Sequence, residues 1–463
     1  MTQIPILSGV FASTLPEFRA SFPVNMVPVA MDTGINKGYL RPADGIVSVA
    51  TGPGTDRGGI LWNGTHYRLM GNSLVSVTST ITTLAACPGT TRGQFDYGFD
   101  YLGIVSNTDF YLYNGTTLTQ VTDADLGPVI DVIWIDGFYM LTDGEFLIVT
   151  DLNDPFAINP LKYGSSEADP DPVIALLKLR NEAIAVNRHT IEFFDNIGGN
   201  LFPFQRIEGA QIQKGAVGIN ACCIFEEAVA FLGGGRNENV SVYLGVNAQT
   251  LKIGTDEIDT ILAEYTDAEL AATIVEMRTD SEHRFLCVHL PDRTLVYDAA
   301  VSAALQTQVW HVLTTAIVGF AEYQARNFIL SNGEWYCGYG DKVGRLVRNI
   351  STHWSEKVRW EIGTTIVYNE GKGALFHELE LCALTGSVAL GDTAYISSSY
   401  SVDGMAWSAD RVINAGTTGQ RGKRLVWFQQ GMMRNWRIQR FRGDSDSHLA
   451  IARLEARLEP LAF

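Results

Sequence analysis

The chain is poor in cysteine and in positive charge, and it lacks any long apolar run. Its six cysteines (Cys87, Cys222, Cys223, Cys287, Cys337, Cys382) form no CxxC pair and no zinc-like spacing, which argues against a cysteine-built metal site. Cys287 and Cys382 sit among apolar neighbours and read as small buried side chains, so a reducing compartment is expected. Thirty-four Lys and Arg against fifty-one Asp and Glu leave a formal charge of −17. That is the wrong sign for a general nucleic-acid binder, whose affinity comes from cations on phosphates. DNA can still pass an acidic wall without sticking to it, as in a conduit. No stretch of eighteen apolar residues exists, so no membrane-spanning helix is expected. The opening run MTQIPILSGVFASTLPEF has neither a basic start nor a continuous apolar core, and does not read as a signal peptide.

Catalytic signatures are missing too. There is no G-x-S-x-G elbow, no H-E-x-x-H, and no Lys-Ser/Thr after Gly233-Gly234-Gly235 to make a phosphate loop. Eight histidines are scattered singly, and a lone strand histidine such as His289 or His311 reads as a core or rim residue. Glycoside hydrolysis needs two carboxylates across a sugar, and no acid stands in a context that marks it for that role. The acids of the loop Asp151 to Pro172 (Asp151, Asp154, Glu167, Asp169, Asp171) lack the D-x-[DN]-x-[DN]-G grammar of a calcium loop. Ser401 to Trp407 resembles a sialidase Asp-box one residue short, and such a box is a structural hairpin. The predicted catalytic, cofactor and metal residues are therefore none. Trp62, Trp134, Trp310 and Trp335 lie in strand-like runs, where blade packing explains them better than sugar stacking.

What is present is a glycine-rich β pattern: 46% hydrophobic residues, 18% charged residues and forty-five Gly over 463 residues. From Phe285 to Leu313 an alternating strand meets a Pro291-Asp292 turn. A second strand, Thr294 to Tyr297, ends in Asp298, and a loop leads to a third strand with Trp310. This is how one propeller blade is written. Similar units start near Gly59, Tyr101, Asp131, Ile174, Ala221, Met277 and Ala321. Their hairpins are marked by Asn63-Gly64, Asn114-Gly115, Asp136-Gly137, Asp143-Gly144 and Asn332-Gly333, residues that tolerate positive φ.

The pattern predicts an all-β fold: a β-propeller of six or seven blades with a short helical insertion and a C-terminal β-sandwich-like domain. The expected division is an N-terminal segment with first strands over 1–58, blades over 59–350 with the insertion at about 255–275, and a C-terminal β domain over 351–463. Within the insertion, Ile258, Ile261 and Leu262 have helical spacing, and Thr266 with Glu269 forms a capping box. It serves either as a contact element or as packing across a blade face. In the C-terminal domain the alternation of His377, Leu379 and Leu381 against Glu378 and Glu380 predicts half-buried strands, and the domain is a candidate to lend a strand to the propeller. The run HLAIARLEARLEP suits strand or helix. From Arg421 onward nine basic residues face four acidic ones, a balance of +5 that leaves −22 for residues 1–420. That tail is either a docking face for an acidic neighbour or another copy, or a solvated sheet face.

Several passages in order along the chain resemble the packaged-DNA-stabilisation, or tail hub (nozzle), proteins of short-tailed bacteriophages. They are Pro23 to Met26, Gly38 to Arg41, Thr190-Ile191-Glu192, Gln213-Lys214-Gly215, Tyr265 to Glu269, His289-Leu290-Pro291 with Leu295 to Asp298, and the closing Arg457-Leu458-Glu459. The resemblance implies a non-enzymatic virion subunit without cofactors, located in the tail and assembled in the host cytoplasm. It implies a homohexameric ring below the portal adaptor ring that retains packaged DNA and forms part of the ejection conduit. Implied partners are further copies of itself, the adaptor, tailspike or tail-fibre proteins and a tail needle or plug. DNA would pass through the lumen without sequence-specific binding, and no membrane insertion is expected. The residues alone leave two alternatives open: a propeller-fold tail protein that binds or degrades polysaccharide (glycosidase-like), and a generic intracellular propeller adaptor.

Overall fold

The computed structural model describes all residues except 1, 5, 7–22, 32–37, 153, 167–168, 365, 370, 403–405 and 462–463. Seven antiparallel sheets of four or five strands follow one another along the chain as blades. Their first strands are Asp56–Trp62, Gln94–Tyr97, Asp131–Ile135, Val173–Leu179, Cys222–Phe225, Ile274–Thr279 and Arg326–Ser331. Each first strand touches the next, and the last touches the first, so the blades close into a ring. The blade count, six or seven from the sequence, is seven. The hairpin signals act as expected at three turns where both residues have positive φ: Asn63-Gly64 (47° and 74°), Asp136-Gly137 (50° and 89°) and Asn332-Gly333 (52° and 77°). Gly233 answers a different need: a Cβ there would lie 1.8 Å from the Gly215 carbonyl oxygen, where two strands of blade 5 pair.

An apolar cluster fills each gap between neighbouring blades, because both faces of every sheet are covered. The smallest lies between blades 7 and 1, where the buried apolar residues among those described are Met70, Val75, Val77 and Val343. That seam is also where the chain closes on itself: Gly45–Thr51 from the N-terminal region forms the outer strand of blade 7, paired with Lys342–Val347.

The C-terminal domain is a sandwich of a five-stranded and a seven-stranded sheet around its own core. Strand exchange runs opposite to the expectation. Among the described residues the C-terminal domain lends no strand to a blade; instead Thr2–Ile4, Met26–Ala30 and Gly38–Pro42 join the seven-stranded sheet of the sandwich. The expected cut at residue 58 therefore separates strands of two different domains from their partners. The closing run HLAIARLEARLEP is a strand, His448–Pro460, buried against Ala374–Ser387. A bulge between Phe376 and Glu378 breaks the predicted alternation, so Leu379 and Leu381 are buried while His377 turns out to pair with Glu459.

The helical insertion is two short helices, α1 (Asp256–Leu262) and α2 (Asp267–Ala271), the second opened by the Thr266–Glu269 capping box. Ile258, Leu262 and Leu270 bury into the cluster between blades 5 and 6, so the pair packs across a blade face. The loop expected after Asp298 is a third helix, α3 (Ala299–Leu305), whose N-cap is Asp298 itself. The stretch expected to be a long loop, Asp151 to Pro172, is mostly a twelve-residue strand, Asp154–Ser165, at the outer edge of blade 3.

Candidate functional site: a closed axis and a clamped rim

The first strands carry polar residues toward the ring axis, and these residues bond across it. Arg92, just ahead of blade 2, donates from Nε to Asn327 Oδ1 of blade 7 and from Nη1 to Asn220 Oδ1 beside blade 5, both at 2.8 Å. Gln94 donates to the same Asn220 oxygen at 2.9 Å. Asn327 Nδ2 donates to Asp56 of blade 1 at 2.7 Å, and Arg68 Nη1 meets the other Asp56 oxygen at 2.7 Å. Arg68 also donates to the Asn327 carbonyl at 2.8 Å and to His66 Nε2 at 2.9 Å. Burial, with the Arg68 charge, holds the His66 imidazole down to about 3, so it stays neutral and accepts that bond. Arg92 thus ties blade 2 across the axis to blade 7 and to the start of blade 5.

Carboxylates on three of these strands latch one blade to the next. Asp96 of blade 2 accepts from the Trp134 N–H of blade 3 and from Lys178 Nζ, each at 2.6 Å. Asp131 of blade 3 accepts from the Leu176 N–H of blade 4 at 2.7 Å and from Val132 N–H at 2.8 Å. Glu276 of blade 6 accepts from the N–H groups of Asn327 and Phe328 in blade 7 at 2.9 and 3.0 Å, and lies 2.9 Å from His289 Nε2. Burial pushes Glu276 up, but the His289 hydrogen bond and charge, Arg92 and the Phe328 N–H outweigh it and hold the acid below its ordinary range.

Asp131 goes the other way. Burial raises it to about 7 against the pull of its two N–H donors, with Asp96 adding to the rise. Between the unfolded value and about 7 the folded state holds a proton that the unfolded state has lost, so this group's contribution falls as pH rises through that window. Three units correspond to roughly 4 kcal/mol. Urea midpoints of the wild type, corrected for those of Asp131→Asn, should decline from pH 5 to pH 8; a flat difference would refute the shift.

The sandwich is clamped to the rim at blades 6 and 7. Residues Val24 and Asn25 run between the blade 6 outer strand, Trp310–Leu313, and the sandwich strand Arg359–Gly363. Asn25 Nδ2 donates to the carbonyls of Thr314 (2.9 Å) and Arg359 (2.8 Å), and Oδ1 accepts from the Thr314 N–H at 3.0 Å. Arg41, from the sandwich sheet, and Arg278, from blade 6, meet Asp44 at 2.8 and 2.6 Å. Burial alone would raise Asp44, yet the two guanidinium groups hold it well below the usual carboxylate range.

The residues weighed from the sequence are dispersed. Of the acids once weighed for calcium, Asp151 pairs with Lys162, Asp169 with Arg236, and Asp171 accepts from His189 N–H and Thr190; Glu167 lies outside the described residues. His289 is buried between Glu276 and Thr294. The Asp-box-like run has residues 403–405 outside the described residues. The basic tail is not one face: Arg424 pairs with Glu380, Arg442 with Asp410, and Arg437 is buried between the rings of Phe376 and Tyr400. Sequence reasoning missed the axial residues Asp56, Arg92, Asn220, Asn327 and Glu276. The available signal was an acid or amide in or just before the first β run of a blade, where alternation otherwise calls for apolar residues.

The seven blades, tied across their axis and clamped to a second β domain, define a two-domain all-β protein of propeller and sandwich. The chain belongs to the bacteriophage P22 Gp10 family: that family's β-propeller model matches residues 2–351 and its β-sandwich model residues 359–459. It is similar to the tail hub protein gp10 of Salmonella phage P22, with 26% identity over 485 residues that span 99% of both chains. The matches favour the structural role of that relative over the polysaccharide-degrading alternative. Among solved structures it resembles the Pan2 WD40 domain of Neurospora crassa (12% identity, 69% of this chain and 97% of that one, TM-score 0.44). It also resembles Kluyveromyces lactis Hsv2 (9%, 70% and 95%, TM-score 0.37).

Proposed function

We propose that this chain is the non-enzymatic subunit of a six-membered ring that assembles below the portal adaptor and keeps packaged DNA from escaping. Full-length kinship with a tail hub protein carries this reading. The hydrogen bonds across the propeller axis and the clamp to the sandwich support it, since they fix the shape that a ring subunit presents to its neighbours. The acidic balance of residues 1–420, −22, suits a ring whose lumen repels the duplex and lets it slide at ejection. Tailspikes or fibres and a needle or plug dock on the assembled ring, and assembly takes place in the host cytoplasm. The domains are read as a propeller up to about residue 350 and a sandwich beyond it, stitched by the N-terminal strands.

The test adds purified protein to DNA-filled heads that lack the hub. DNA should stay inside, and electron microscopy should show a six-fold collar on the connector. Heads that leak DNA at the control rate and stay bare would refute the proposal.

A further inference from the structure

We propose that the ring contact, which rests on the reading above, joins the outer rim of blades 3 and 4 of one copy to the open edge of the sandwich of the next. Blade 3 exposes Leu152 and Leu161, and blade 4 exposes Ile197 and Leu201, at 57%, 68%, 60% and 56% of their surface. Leu161 projects because residues 159–162 bulge out between Ile158 and Tyr163 of the edge strand. Leu152 and Leu201 line a groove of 490 Å³ together with Phe138 and Pro203, and Leu161 and Ile197 are exposed on the same two blades. Scattered exposed apolar residues are ordinary, but four on two adjacent blades, two of them lining one groove, mark a contact surface.

The occupant is indicated by charge and placement. Blades 2 to 4 (residues 94–212) hold eighteen acidic and five basic residues, a balance of −13. Asp136 lines the groove, Asp154 and Asp195 are exposed on the same two blades, and none of the three has a cationic partner among the described residues. The sandwich, residues 351–463, holds thirteen basic and twelve acidic residues. At one side both of its sheets end in free edges, the strands Arg411–Thr417 and Leu425–Phe428, which touch each other. That side exposes Val412 and Phe428, at 60% and 65%, together with Arg421 and Arg434. Each patch is apolar at its centre and charged at its margin, with opposite signs.

The two patches sit at opposite ends of the molecule. In a ring of seven blades, blades 3 and 4 lie across the axis from blade 7 and its neighbours, where the sandwich is clamped through Asn25 and through the Ile46–His353 bridge. A contact between unlike patches at opposite ends is heterologous, and it closes into a ring when the rotation per copy divides a full turn.

The experiment uses full-length protein with hub-less, DNA-filled heads. One variant reverses the rim (Asp154→Lys with Asp195→Lys), the other reverses the sandwich edge (Arg421→Glu with Arg434→Glu), and both must match the wild type in circular dichroism and thermal midpoint. Like charges face each other in rings of either variant alone, so collar yield should fall about tenfold or more. An equimolar mixture should restore it, because alternating copies of an even-numbered ring meet only opposite charges. Combining all four substitutions in one chain should restore it too. Collars at wild-type yield from either folded variant alone, or no restoration on mixing, would overturn this contact while leaving the ring intact. A wild-type protein that forms no collar overturns the ring, and the contact with it.

Discussion

Replacing Asp56 with alanine should lower the stability of the folded chain by about 3–5 kcal/mol, the scale for removing one partner of a buried ion pair. Asp56 and Arg68 are 1% and 0% exposed at the side chain and lie 2.7 Å apart. Without the carboxylate, Arg68 keeps its bonds to His66 and the Asn327 carbonyl but loses its only anion within ion-pair distance among the described residues. Asn327 Nδ2 loses its acceptor as well. The loss falls on the seam between blades 7 and 1, where the apolar cluster is smallest and the ring is closed by a strand from the N-terminal region. Urea unfolding checks the magnitude. Asp56→Asn keeps one acceptor for Arg68 and should cost less. Asp56→Ala combined with Arg68→Met should recover part of the loss, since the uncompensated charge leaves with its partner. A single-variant loss below about 1 kcal/mol would mean that water reaches the seam and that the ion pair behaves as a surface pair.

The propeller was legible because its local signals repeat. Turn pairs such as Asp136-Gly137 and Asn332-Gly333 can hardly be used otherwise, and seven β-rich runs recur at blade spacing. Blades 4 and 5 hide their turns better, with Arg180 and Glu226 at φ of 58° and 55°, residues that carry no turn signature. Helix α3 was read as a loop because its seven residues are too few for a clear period; its one signal was Asp298 as a cap. Asp154–Ser165 was read as a loop because Pro155 and Pro160 argue against a strand. Both are tolerated because this strand is an edge, where a missing N–H costs nothing to a neighbour. The axial network was not legible at all. Arg92, Asn220 and Asn327 are far apart in the chain, and only ring closure brings them together. The same holds for the strand exchange: nothing in Thr2–Ile4 or Gly38–Pro42 says that each pairs with His448–Pro460 at the other end of the sequence.

Asn25 shows what that exchange does for the function. It lies in the stretch Pro23 to Met26 that resembles the phage family, and its side chain ties blade 6 to the sandwich. Asn25→Ala should destabilise the chain by about 3–5 kcal/mol: two carbonyls and one N–H at the junction lose their partner, at about 1 kcal/mol or more each. Alanine must also hold φ at 51°, a left-handed conformation that costs it roughly a further 1 kcal/mol. Asn25→Gly removes the strain but not the lost bonds, so it should fall between wild type and alanine. Calorimetry should show the sandwich and propeller, coupled in the wild type, melting in two separated steps in Asn25→Ala. The ring places a demand on this joint, because a sandwich that swings on its propeller no longer presents a fixed angle to the next copy. Collar yield on hub-less heads should therefore fall in Asn25→Ala at temperatures where each domain is still folded. Normal collars from a protein with two separated transitions would show that the angle is set by the neighbours and not by Asn25.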